Sequence, residues 1–242
     1  MIDQLVNANS LDHLEGLPDD SVDLVVMDPP YYQTSEHALS RSRKVERTLS
    51  DLSVLDGFSR SIFVELARVT KPAGAWYIFC DCNSYSSFYR ESRRYSSKVR
   101  DLVWAKGNGG LGYTWRHGHE LILFVPMPDF ENIATGDTDV LRFDVVPIGR
   151  RIHVAQKPIE LLKKLISKHG KGNLVLDPFG GSGSTTIAAR NTGNHYYMIE
   201  MEKGYYDEMV ERLGHNQIDG FLSDPSPRDP PVGSPAFPCG VV

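Results

Sequence analysis

Six short apolar runs alternate with longer helical patterns along this chain, and that alternation restricts its fold more than any other feature. The runs are Val22–Met27 (VDLVVM), 75–80 (AWYIFC), 102–105, 120–125, 174–176 and 195–199 (HYYMI). They are almost continuously apolar rather than strictly alternating, which suits strands covered on both faces, as in a parallel sheet. Helical patterns fall at about 57–70, 84–95, 157–169, 184–192 and 203–214, with Pro158 fitting a first turn and Gly170 a helix end. The expected fold is α/β: a doubly wound, mostly parallel, Rossmann-like sheet with a late antiparallel hairpin around 102–125. In such sheets ligands bind beyond the carboxyl ends of the strands.

Composition bounds this picture. The chain has 242 residues, of which 40% are hydrophobic and 24% charged, values of a globular protein with a large core. No apolar run approaches the roughly 18 residues of a membrane helix. The opening MIDQLVNANS has neither the basic nor the apolar segment of a signal peptide, and the three cysteines make no disulfide framework, so a reduced, cytoplasmic protein is expected. Scattered histidines (His117, His119, His153) lack ligand spacing, and no metal site is expected. Residues 223–242 hold six prolines and read as a flexible tail, leaving 1–222 as a single domain.

Charge is segregated along the chain. The net charge is −5, yet residues 90–106 hold six bases against two acids, and 142–171 hold eight against two. A polyanion responds to local potential rather than to the chain total. Solvated helix faces give the same pattern, so these blocks decide nothing alone.

Two loops carry chemistry. The first, Asp177-Pro178-Phe179-Gly180-Gly181-Ser182-Gly183, follows the strand pattern NLVL and opens the helix pattern TTIAAR. Its three glycines let a ligand approach the backbone amides closely. Glu200 ends the next strand pattern, where a carboxylate can accept ribose hydroxyls. No Gly-Lys-Ser/Thr follows, and the dinucleotide pattern Gly-x-Gly-x-x-Gly/Ala fails at Thr186. Asp177 at the mouth of the loop would repel a pyrophosphate but suits an ammonium or a sulfonium. S-adenosylmethionine carries both, with a ribose and an adenine; a purely structural glycine turn is the alternative.

The second loop, Asp28-Pro29-Pro30-Tyr31, follows VDLVVM directly. Consecutive prolines also punctuate ordinary turns. As a catalytic quartet it fits methyl transfer to an aromatic exocyclic amine, whose lone pair is delocalised into the ring. Asp28 can accept one N–H and the Pro29 carbonyl the other, favouring a pyramidal nitrogen. The prolines stiffen the chain that presents these oxygens. Tyr31 can stack on the base, worth about 1–3 kcal/mol on single-base platforms.

Together the two loops resemble the beta group of DNA amino-methyltransferases, which modify adenine N6 or cytosine N4. Asp28-Pro29-Pro30-Tyr31 resembles their catalytic motif, and Phe179-Gly180-Gly181-Ser182-Gly183 their cofactor motif. Lys71-Pro72-Ala73-Gly74, Trp104-Ala105-Lys106-Gly107-Asn108, His119-Glu120 and His153-Val154-Ala155-Gln156-Lys157-Pro158 match further family segments. The resemblance covers about residues 2–214 and implies a methyltransferase fold in circularly permuted motif order. It implies S-adenosylmethionine held by Asn9, Lys157, Asp177, Phe179, Gly180, Gly181, Ser182, Gly183, Glu200 and Met201. Asn9 stands where the family usually has an acid, and an amide there can both accept from adenine and donate to it.

The resemblance further implies duplex DNA as partner, with the target base flipped, and a homodimer as one arrangement. Asp as first residue of the quartet leans toward adenine N6 over cytosine N4. The recognition region is short, about 126–152. The insert 32–55 carries Arg41, Arg43, Lys44 and Arg47, and reads either as a loop closing over the flipped base or as an ordinary surface loop. Arg93, Arg94, Lys98, Arg150 and Arg151 are candidate phosphate contacts. The competing readings are a methyltransferase for RNA or a protein amide, a catalytically silent nucleic-acid-binding protein, and a nicotinamide-dependent oxidoreductase.

Overall fold

A computed structural model describes residues 2–32, 51–107, 114–131, 136–147, 149, 151 and 156–215. The expected tail at 223–242 and most of the insert, with Arg41, Arg43, Lys44 and Arg47, lie outside the described residues, as does Arg150.

The described strands are β1 (Gln4–Asn7), β2 (Val22–Met27), β3 (Thr70–Cys80), β4 (Arg100–Ala105), β5 (His119–Pro126), β6 (Val140–Arg142), β7 (Leu174–Asp177) and β8 (His195–Glu200). They form one sheet in the order β1-β8-β7-β2-β3-β5-β4-β6. β1, β8, β7, β2 and β3 pair in parallel, while β5 runs antiparallel between β3 and β4, and β6 lies parallel to β4. The expected hairpin is β4–β5, with Ala105 opposite His119. The chain leaves β2 toward β3 on one side and β7 toward β8 on the other, so β2 and β7 flank the switch point of the sheet.

Helices cover both faces. On one lie α1 (Ser10–Leu14), α2 (Leu52–Val69) and α3 (Tyr85–Ser92), whose Leu14, Leu55, Ile62, Phe63, Leu66 and Phe88 pack with Trp76 and Ile78. On the other lie α4 (Ile159–Ser167), α5 (Ser184–Asn191) and α6 (Lys203–His215), whose Leu162, Ile166, Ile187, Ala188 and Met209 pack with Leu24, Tyr77 and Phe79. The aromatic run of β3 is core as expected, since Trp76, Tyr77 and Phe79 are all buried. Its side chains alternate between the faces, so both layers rest on one strand.

α2 begins earlier than the sequence pattern places it. Asp51 accepts the Ser53 amide at 2.7 Å and caps the helix, and Gly57 faces open space inside it. Pro158 is the cap of α4 rather than a first-turn residue, and Gly170 ends that region at φ +85°. β1, α1 and β6 have no strong periodicity to announce them, being only three to five residues long. β6 falls within the expected recognition region and spends part of it on the sheet edge.

Lys71-Pro72-Ala73-Gly74 lies within the first part of β3, where the pairing with β2 shifts register between Val22–Thr70 and Leu24–Ala75. Asp23 holds the Lys71 ammonium at 2.6 Å with one carboxylate oxygen and accepts the Leu174 amide at 2.8 Å with the other. This ties β2 to both its neighbours. A Cβ on Gly74 would sit 2.8 Å from the Asp23 carbonyl and 2.6 Å from Thr70 Cγ2, where backbone cannot yield cheaply. Gly74→Ala is expected to lower stability by about 1–3 kcal/mol, measured as a lower urea midpoint with unchanged slope.

Candidate active site

The two chemically marked loops emerge side by side. Leu24 pairs with Val175 and Val25 with Leu176, so Asp28 and Asp177 leave adjacent parallel strands at the same, carboxyl end of the sheet. Each lies close enough for Asp28 to act electrostatically on the Asp177 carboxyl. Both loops therefore leave the sheet at the same edge, side by side.

The glycine turn is fixed by its surroundings. The Gly180 amide donates to the Ile199 carbonyl at 2.8 Å, and the Gly181 amide to Glu200 Oε2 at 2.9 Å. Glu200 is buried, and its Oε1 accepts the Glu202 amide at 2.7 Å. Gly183 caps α5 at φ +74°, and a Cβ there would meet Met209 Cγ at 2.7 Å, so both conformation and space require glycine. Arg212 donates to the Ser182 carbonyl at 2.8 Å, the Ser10 hydroxyl donates to the Pro178 carbonyl, and Phe58 of α2 stacks obliquely on Phe179 at 5.9 Å. Neither Phe58 nor Arg212 stands out in the sequence.

Asn9 and Met201 meet at the edge of this turn, with Asn9 Nδ2 3.8 Å from the Met201 sulfur. The Asn9 Oδ1 accepts the Leu11 amide at 2.9 Å and caps α1. Its side-chain oxygen thus has a structural task that the sequence pattern does not reveal. Met201 is half exposed, an unsatisfied apolar surface beside Glu200.

Asp177 is buried, and burial pushes its carboxyl up to about 7; hydrogen bonds from Thr185 and the Phe179 amide oppose this, and Asp28 and Glu200 add to it. The Phe179 amide reaches Asp177 Oδ1 at 2.9 Å. A cation brought beside this carboxyl would favour its charged form.

At the catalytic loop Pro29 is buried, while Asp28, Pro30 and Tyr31 are half-buried. The chain leaves the loop pinned, because the Tyr32 amide donates to the buried Ser84 hydroxyl at 2.8 Å. Tyr31 donates its hydroxyl to Asp28 Oδ1. Burial of that hydroxyl, with Asp28 and Glu120 beside it, raises its pKa well above the usual phenol value, so it remains a donor. Lys157 lies here rather than in the glycine turn. Its ammonium contacts Asp28 Oδ2 at 2.8 Å and Glu120 Oε2 at 3.1 Å, and sits over the rings of Phe79 (5.0 Å) and Tyr31 (5.9 Å).

Glu120 also binds Lys106, at 2.5 Å. Burial pushes the Glu120 carboxyl up, but Lys157 and Lys106 together pull it below its ordinary value. Burial likewise pulls Lys157 down, and the two carboxylates outweigh it and hold it charged. At the hairpin end of β4–β5, Lys106 follows the last pair, Ala105–His119, and Glu120 lies one residue inside it, opposite Trp104. Opposite charges flanking a hairpin end are the sequence signal that could find them.

The basic candidates lie elsewhere. α3 runs back from the catalytic end, so Arg93, Arg94 and Lys98 lie toward the start of β4, at the amino end of the sheet. Arg94 pairs with Glu91 at 3.5 Å, and Arg93 donates to the Ser97 carbonyl. Arg151 donates to the Val146 carbonyl at 2.6 Å, bracing its own loop. No helix among the described residues is long and apolar enough to cross a membrane.

The family model described as DNA methylase, of the N6/N4 type, matches residues 22–211. The chain is similar to the type II methyltransferase M.HinfI of Haemophilus influenzae, 26% identical over 88% of this chain and 68% of that protein. Its fold is similar to that of the PvuII DNA methyltransferase (cytosine-N4-specific), with TM-score 0.72, 17% identity, and coverage of 93% and 89% of the two chains. A DNA modification methylase from Thermus thermophilus, solved with S-adenosyl-L-methionine, superposes with TM-score 0.69 at 20% identity over 90% of this chain and 95% of that one.

The buried Asp177 carboxyl gives a test that needs no ligand. Its folded-state pKa, about 7, lies above the ordinary value of 3.8, so the folded chain binds the proton more tightly than the unfolded chain. Stability is therefore lost as pH rises from 3.8 through about 7, and the loss levels off above that. Thermal unfolding of Asp177→Asn against the parent should show the variant gaining relative stability across that window, and a constant offset at higher pH.

Proposed function

Because the chain belongs to the N6/N4 DNA methylase family, we propose that it transfers a methyl group from S-adenosylmethionine to the N6 amine of adenine in a short duplex DNA site. One observation carries this reading: Asp28 and Asp177 leave neighbouring parallel strands at the same edge of the sheet, near enough for one carboxylate to act on the other.

The residues of the glycine turn fit the cofactor. A buried carboxyl kept near neutrality by desolvation, beside amides of a turn that admits no Cβ at Gly183, favours a cationic ligand with backbone-accepting oxygens. Asp177 would hold the ammonium or sulfonium charge, Gly180, Gly181, Ser182 and Gly183 would line the approach, and Glu200 the ribose. Asn9, Phe179 and Met201 would flank the adenine. When bound, the cofactor supplies a methyl group on a positively charged sulfur.

Asp28 and the Pro29 carbonyl act on the amine. Each accepts one N–H, which withdraws the nitrogen lone pair from the ring and aims it away from these two oxygens. As the nitrogen–methyl bond forms, the methyl carbon–sulfur bond would break to leave a neutral thioether. Asp28 stabilises the positive charge that develops on the nitrogen at short range in a low-dielectric site, and the excess N–H proton then passes to water. The flipped base costs a few kcal/mol of unstacking, which the face of Tyr31 offsets. Duplex DNA would reach the carboxyl end of the sheet, where both loops emerge. Asp at the head of the quartet favours adenine, and cytosine N4 is the second outcome of the test.

Incubation of duplex DNA with labelled cofactor, followed by digestion to nucleosides, is expected to yield N6-methyladenine. N4-methylcytosine instead would reassign the base, and label on tRNA or protein alone would contradict the reading. Asp28→Ala should slow transfer on the order of 100-fold or more while leaving cofactor affinity little changed. Cofactor binding to the parent should tighten as pH rises toward about 7, the value to which burial pushes Asp177, and Asp177→Asn should flatten that dependence in calorimetry.

A further inference from the structure

Four charged side chains meet behind the Asp28 loop; the resemblance gives Asp28 a part in the chemistry and Lys157 one in holding the cofactor, and leaves Lys106 and Glu120 without a task. Lys106 holds Glu120, Glu120 holds Lys157, and Lys157 holds Asp28, from Lys106 at the end of β4 to Asp28 at the end of β2. Two acids and two lysines balance, in a place where water has little access: Lys157 is 8% exposed, and the Lys106 and Glu120 side chains are only 16% and 21% exposed. A buried ion pair adds little net stability over apolar packing, yet breaking one partner leaves an expensive lone charge. Such a chain is well suited to fix geometry.

The geometry concerns the two oxygens of Asp28. Oδ2 is held by a full charge, Lys157, which is itself wedged between Glu120, Phe79 and Tyr31. Among the described residues, Oδ1 is held by the neutral Tyr31 hydroxyl alone. An incoming amine competes far more easily with a neutral donor than with a buried ammonium. Glu120 stops Lys157 from swinging across the carboxylate into the amine's place.

We infer that Lys157, braced by Glu120, is a positioning residue that reserves Asp28 Oδ1 for the target amine and presents that oxygen in a fixed direction. This deepens the amino-methyltransferase reading and rests on it. Lys157 touches neither reacting atom; it acts through Asp28. The consequence is a coupling: without Lys157, Asp28 and Glu120 become two unbridged carboxylates in one pocket, so neutralising Glu120 as well should relieve the defect.

The test is single-turnover methyl transfer to duplex DNA by the parent, Lys157→Met, Lys157→Arg, Glu120→Gln and the double variant Lys157→Met/Glu120→Gln, with cofactor affinity and thermal stability measured on each. Misplacement of a reacting group by about 1 Å costs on the order of 100-fold. Lys157→Met is expected to lose about that much in transfer rate, with KM for DNA and cofactor affinity little changed. Lys157→Arg should keep more of the rate than Lys157→Met. The double variant should recover about tenfold over Lys157→Met, a coupling within the range seen for contacting residues. A Lys157→Met enzyme at the parental rate, a double variant slower than Lys157→Met, or rate losses that merely follow cofactor affinity and thermal stability would overturn the inference. A parent that methylates no DNA would instead overturn the functional reading on which it rests.

Discussion

The parallel pairing of β2 with β7, Leu24 against Val175 and Val25 against Leu176, is the constraint on which the site depends. About 150 residues separate the two strands in the chain, and neither loop means much without the other. Once the strands lie side by side in the same direction, Asp28 and Asp177 follow within a residue or two of their ends. Asp23 secures the pairing from the far end by accepting the Leu174 amide and binding Lys71 of β3. The apolar residues of both strands serve the two cores at once, Val25 and Leu176 on one face, Leu24 and Val175 on the other. A slip of the pairing would turn both sets of side chains to the wrong face.

Low dielectric then divides the labour among the acids. Asp177 has the Thr185 hydroxyl and the Phe179 amide as donors among the described residues, and burial pushes its carboxyl up to about 7. Glu120 has two lysines and is held ionised. Glu200 has two backbone amides and serves as a strut for the glycine turn. Three carboxyl groups in one region thus differ in task because their donors differ in charge, a general consequence of burial acting against local partners.

Much of this was legible in the sequence, for identifiable reasons. The core strands showed themselves because both their faces are covered, so apolarity runs almost unbroken through VDLVVM and AWYIFC. The two loops showed themselves because proline and glycine have few alternative uses next to an acid. β1, α1 and β6 did not, since elements of three to five residues carry too little periodicity. Lys157 was expected near the cofactor, and the fold sets its ammonium on Asp28 and Glu120. Such a contact depends on where β5 lies in the sheet, and local pattern does not report that. The same holds for Asn9, whose cap on α1 is invisible until α1 is known.

That both loops serve one reaction is the central claim, and a linked compound tests it most directly. An adenine joined through N6 to the methyl-donor end of a cofactor analogue would engage both loops only if they share one hollow. Calorimetry should then show it binding much more tightly than the cofactor portion alone, since the second contact becomes intramolecular, and both Asp28→Ala and Asp177→Asn should weaken it. A linked compound that binds no better than the cofactor portion, and that is indifferent to Asp28, would contradict the account.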